Sequence, residues 1–254
     1  MKNSIFKFFV YLFVSLTASS AFGQDSSVLG MPALTSSVGE NGEATYSLSL
    51  QILVLMTVLT VVPSIVLGMT AFTRVIIVLS ILRQALGTQQ TPPNQVLIAI
   101  ALFITFYIMG PIFDVIYETA LNPYLEGAKS AQVALSIATD LLKEFMVANT
   151  RSDTMNMFAE MAGEGPFEDT QAIPLSIVLP SFITSELKTA FEIGFLIFLP
   201  FLVIDIVIAS ILMSLGMMML SPMLISLPFK LLLFVLVDGW AMTIGSLSST
   251  FVVG

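Results

Sequence analysis

The chain has 254 residues, is 56% hydrophobic and only 10% charged, and carries a net charge of −8. A soluble domain carries about 25% charged residues, so this is a membrane-type chain or a subunit of a very apolar assembly. There is no cysteine and no histidine, which removes disulfides, thiolate chemistry and the commonest general base and metal ligand. The acidic balance argues against nucleic acid, whose binding needs clustered Lys and Arg. The sequence holds no Walker A pattern and no GxGxxG, so neither a cofactor nor an enzymatic activity is expected.

In chain order, residues 1–23 read as a cleavable signal peptide. Lys2 and Lys7 make a basic start, Phe8–Leu16 a short apolar core, and Ala21-Phe22-Gly23 a small-residue cleavage site before Gln24. That places the mature N-terminus outside the cytoplasm. Residues 24–47 are polar and read as a flexible periplasmic lead-in. Residues 48–117 form a first apolar helical hairpin. Its first run, Leu48–Phe72, is expected to bend or break near Pro63. Arg74–Asn94 is expected as a short connection whose charges are Arg74 and Arg83, and Gln95–Tyr117 as a run interrupted at Gly110-Pro111.

Residues 118–172 read as an acidic soluble helical insert. Asp114–Ala172 holds ten acids and three bases, a net of −7 by subtraction. Within it, Ala134, Ile137, Leu141, Leu142 and Phe145 follow helical spacing with Asp140, Lys143 and Glu144 outward. A second, shorter helix begins near Asp153 and closes at Gly163–Pro166. Residues 173–254 form a second apolar hairpin, with runs Leu187–Met219 and Ser226–Val253 and a soft break at Pro200. The expected fold is all-α: four long apolar helical segments, kinked at prolines, plus the insert. Positive bias at Arg74 and Arg83 puts that connection in the cytoplasm. The insert and C-terminus then lie outside and the tip of the second hairpin inside, in agreement with the signal peptide.

That tip concentrates chemistry. Met213, Met217, Met218, Met219 and Met223 fall in eleven residues, around Gly216 and Pro222. Both residues disfavour a continuous helix. Thioethers are adaptable and suit a compliant seal; the alternative is that they fill an irregular core. Ionisable groups at Glu192, Asp205, Lys230 and Asp238 lie in apolar runs and must be paired or line water. Asp205 is about 13 residues before the tip and Lys230 about 12 after, so at ~1.5 Å per residue they lie level across the hairpin. Glu186 is too far from the tip for this and would meet the Lys230 of a neighbouring copy.

Ile225–Trp240 (ISLPFKLLLFVLVDGW), Pro200–Gly216 (PFLVIDIVIASILMSLG), Phe182–Phe195 (FITSELKTAFEIGF) and Thr70–Gln95 together resemble the FliP family of flagellar type III export-gate subunits. The resemblance covers roughly Leu48 to Phe251. It implies bent helical hairpins stacked side by side into a helical ring, at or above the periplasmic face of the bacterial inner membrane. It implies further copies of the same subunit with FliR and FliQ enclosing a channel, FlhB and FlhA engaging it, and FliO assisting assembly. Unfolded flagellar proteins would be the cargo. On that reading Met213, Met217, Met218, Met219 and Met223 form the pore constriction, Gly216 and Pro222 let the tip flex, and Glu186, Asp205 and Lys230 fix register. Ser221 before Pro222 is closer to the injectisome relatives, which leaves a virulence export gate as the near alternative. A small-solute or ion transporter, the alternative of another class, needs an inverted repeat. The first pair of apolar runs carries no acid before Asp114, and the second carries three.

Overall fold

The computed structural model describes residues 27–28, 31–32, 34–38, 44–48, 50–88, 90–165, 167, 170–217 and 220–252. The signal peptide, Met218 and Met219 lie outside the described residues. The chain divides into two compact units, 1–63 and 64–254.

In the first unit, strands β1 (Ser27–Val28) and β2 (Met31–Pro32) pair antiparallel, as do β3 (Leu34–Val38) and β4 (Ala44–Leu48). Helix α1 (Leu50–Gly68) follows and runs without interruption through Pro63. From Leu50 on, the described residues form helices and turns only.

The second unit is a helical bundle. It comprises α2 (Phe72–Ala85), α3 (Asn94–Ile116), a π turn at Tyr117–Leu121, α4 (Asn122–Leu125), α5 (Ala131–Ala148), α6 (Ser152–Ala162), α7 (Leu175–Ser214), α8 (Pro222–Leu236) and α9 (Gly239–Ser249). Helix α2 packs along α7 on one side and α3 on the other. One core joins Val75, Val78 and Leu79 of α2 to Leu97, Ala101 and Met109 of α3 and to Val178, Phe182 and Ala190 of α7. A smaller core of Leu82, Ala85, Leu86, Phe201 and Phe234 lies where α2 ends against α7 and α8.

The expected helix pair in the acidic segment is present as α5 and α6. Ser130 caps α5, its hydroxyl accepting from the Val133 N–H at 3.4 Å, and Gly163 closes α6 with φ 71°, the left-handed conformation a helix C-terminus commonly uses. The pair shares the main core, through Phe145, Met146, Met155 and Ala159, and does not form a core of its own.

Breaks are found in the expected connection before Asn94 and at the Gly216–Pro222 tip, but not at Pro63, Pro111 or Pro200. Helices continue through Pro63, Pro111, Pro180, Pro200 and Pro228. A proline removes one N–H and crowds one carbonyl, a local defect that ends none of these helices. The real interruptions are at 69–71, 86–93, 215–221 and 237–238. The last divides the fourth apolar run, with α8 and α9 meeting at 64°. Asp238 sits there at φ 50°, and Gly239 is required beside it: a Cβ on Gly239 would lie 2.2 Å from the Phe234 ring. Among the described residues, two helical stretches, Asn94–Leu125 and Leu175–Ser214, are long and apolar enough to cross a membrane, or up to four if each bent pair counts as one span.

Arg74 is also corrected. Residues 74–85 were expected as part of a charged loop and are helix, with Arg74 buried. Val75, Val78, Leu79 and Leu82 are spaced as one helical face. Arg74 is therefore no free loop charge, and Arg83 alone remains of the positive bias used to orient the chain.

Candidate functional site: the methionine tip and its bracing charges

Helix α7 ends in a left-handed glycine cap. The Gly216 N–H donates to the Met213 carbonyl at 3.1 Å and the Met217 N–H to the Leu212 carbonyl at 3.0 Å. Gly216 has φ 72°. This pair of bonds satisfies carbonyls that a helix end leaves open. Pro222 opens α8 at a position where its missing N–H removes nothing. Gly216 and Pro222 thus define the two ends of the turn. In and beside it, Met213 is 60% exposed, Met217 46% and Met223 47%. These three thioethers face outward and fill no core of this chain.

The hairpin is tied below the tip. Lys230 Nζ lies 2.6 Å from Asp205 Oδ2 and donates at 3.1 Å to the Ala85 carbonyl, in the last turn of α2. That helix end attracts a cation as well as a donor. Ser226 Oγ donates to Asp205 Oδ1 at 2.5 Å. Lys230 is 2% exposed, whereas Asp205 keeps 27%, so the acid retains water while the amine does not. Gly87 (φ 79°) packs on this cluster, its Cβ position 3.9 Å from Lys230 Nζ and from Met223 Cγ.

Glu186 is placed differently from expectation. It meets Arg74 of its own chain and not a lysine. The guanidinium holds the carboxylate in a two-pronged bond, Nε to Oε2 at 2.8 Å and Nη2 to Oε1, with both side chains buried. Such a fork matches a carboxylate in a way lysine cannot. Arg74 Nη1 also donates to the Thr250 carbonyl at 3.1 Å and to Thr250 Oγ1 at 2.9 Å, and its Cζ lies 3.8 Å over the Phe251 ring. Glu192 pairs with Arg151, and Asp238 is exposed at the α8–α9 bend. Asp153 accepts from Lys188 at 3.1 Å and from the Thr154 N–H at 2.9 Å. These two bonds, that of Lys188 first, hold its carboxyl below the usual range.

Three contributors escaped the sequence reading. Arg74 was hidden because it was counted as a loop charge. Ser226 was hidden because a serine in an apolar run carries no signal of its own. Asn149 bonds the Val252 backbone in both directions at 3.0 Å, across a separation that no local pattern reveals.

A chain that is 56% hydrophobic, built of long apolar helices and bent helical pairs and with its buried charges paired, is a membrane-type helical protein. The FliP family pattern matches residues 55–247. The chain belongs to the FliP family. It is 64% identical over 222 residues to the Flagellar biosynthetic protein FliP of Cereibacter sphaeroides, covering 87% of this chain and 73% of that protein. The protein of the same name from Pectobacterium carotovorum is 48% identical, covering 87% and 86%. That of Bacillus subtilis is 51% identical, covering 81% and 93%.

Proposed function

We propose that this chain is a core pore-forming subunit of the flagellar type III protein export gate, passing unfolded flagellar proteins across the bacterial inner membrane. The observation that carries the reading is a braced hairpin with an unsupported tip. Asp205 and Lys230 fix its base, while Met213, Met217 and Met223 stand exposed beyond it. A single copy gains nothing from exposed thioethers. Several copies arranged round an axis would bring them, with Met218 and Met219, into one compliant constriction. The apolar surface left open on α7 and α8, including Phe195, Leu196, Val203, Leu232 and Val235, suits burial against further copies, FliR and FliQ, with lipid on the outer side. FlhB, FlhA and the assembly factor FliO complete the expected partners. The complex would sit at the periplasmic side of the flagellar basal body, after removal of the signal peptide. The relatives' shared flagellar name favours this system over the injectisome.

The test changes Met217, Met218 and Met219 together to Ala, and in a second strain to Leu. Leu and Met have similar volumes, and such swaps cost under ~1.5 kcal/mol. The Ala variant should assemble at normal yield and leak small ions, and the Leu variant should stay sealed and export more slowly. Lost yield without leak in the Ala variant overturns the constriction.

A further inference from the structure

We infer that Ser226 is a positioning residue for the methionine tip, fastening the first turn of α8 to α7 and so fixing where Met223 stands. The inference rests on the constriction reading only for its physiological meaning.

The first turns of α8 lack one backbone bond. Pro228 has no N–H to give, so the Leu224 carbonyl loses the donor that a regular helix would supply from four residues ahead. A helix with such a gap gains from a tie to its neighbour. Ser226 lies between Leu224 and Pro228 and is fully buried. Its hydroxyl donates to Asp205 Oδ1 on α7 and lies 3.1 Å from the Met223 carbonyl oxygen, one turn back. Asp205 is itself clamped by Lys230, and Lys230 by the Ala85 carbonyl at the end of α2. A continuous polar chain thus runs from α2 through Lys230 and Asp205 to Ser226, three residues after Met223 on α8. Every link but the serine carries a charge or a fixed backbone group. Ser226 is the one member whose removal leaves the ion pair whole.

That property makes the test clean. In Ser226→Ala, Asp205 keeps Lys230 and its access to water, and the Met223 carbonyl keeps its own helical donor, so no charge is stranded. The chain has no cysteine, and Met223→Cys therefore gives a single thiol to probe. The measurement is its maleimide labelling rate in the assembled complex, with Ser226 intact, with Ser226→Ala and with Ser226→Thr. Labelling should run about tenfold faster with Ala, the size of one hydrogen bond to a charged group. It should stay at the starting rate with Thr, which keeps the hydroxyl. An unchanged rate with Ala, or the same acceleration with Thr, overturns the inference, and so does a loss of complex yield while the surviving complex labels at the starting rate. Ion leak is read on the same membranes. Faster labelling without leak would leave Ser226 as the positioning residue and remove the constriction.

Discussion

Two ion pairs sit on the same helix and are finished to different degrees. Arg74–Glu186 is closed on all sides: its partners are 3% and 0% exposed, it has two hydrogen bonds to Thr250, and an aromatic ring covers the guanidinium. Lys230–Asp205 is closed on one side only, in a core of five residues, with a water-reaching carboxylate and exposed thioethers beyond it. The first region is complete in a single copy. The second has its polar framework set and its apolar surroundings exposed. The same chemistry is therefore sealed at one end and reaches water at the other.

The sharpest way to break this comparison is to strip each pair of its cation. Arg74→Ala leaves a buried carboxylate alone, which costs about 3–5 kcal/mol, and should abolish or greatly reduce complex yield. Changing both members, Arg74→Met with Glu186→Leu, should recover most of that loss, because an apolar replacement of a buried pair is often neutral. Lys230→Met should cost less, roughly 2 kcal/mol, since Asp205 can turn to water instead of lying stranded. Thermal unfolding of the purified complex ranks the two, and equal losses would erase the distinction drawn here. A smaller loss, about 1–2 kcal/mol, is expected for Gly239→Ala, which drives a methyl into the Phe234 ring of the smaller core and must displace it. The smallest effect belongs to Asp153→Asn, in an exposed contact. The carboxyl of Asp153 titrates below its ordinary range in the folded chain. Its contribution is therefore present above that ordinary range and lost as the pH falls through the lowered folded value. A small loss at neutral pH that disappears in acid, and so a flatter acid limb, is the expected curve for Asp153→Asn.

Legibility followed periodicity. The α5 and α6 helices were readable to within a few residues because Ile137, Leu141 and Phe145 alternate with charged neighbours at helical spacing. The long apolar runs were recognisable as helices, but their ends were not, since a helix apolar all round has no face to count. Pro63, Pro111 and Pro200 suggest breaks that the helices do not make, while the breaks at 69–71 and 237–238 carry no proline. The Asp205–Lys230 pair was within reach because both lie on one hairpin, equally far from its turn. Arg74–Glu186 was not, because 112 residues separate the partners and no local count joins them. Ser226 and Asn149 act through hydrogen bonds whose partners only the fold reveals.

The unbroken length of α7 carries a consequence of scale. Its 40 residues span about 60 Å at the rise of an α-helix, roughly twice the ~30 Å hydrocarbon layer of a bilayer. Upright in a membrane, it must leave about half its length outside the lipid. Glu186 and Asp205, 19 residues apart along it by their numbers, are then about 28 Å from each other. A rod of that reach is not levelled by lipid. Its height is set by whatever grips it at those two marks.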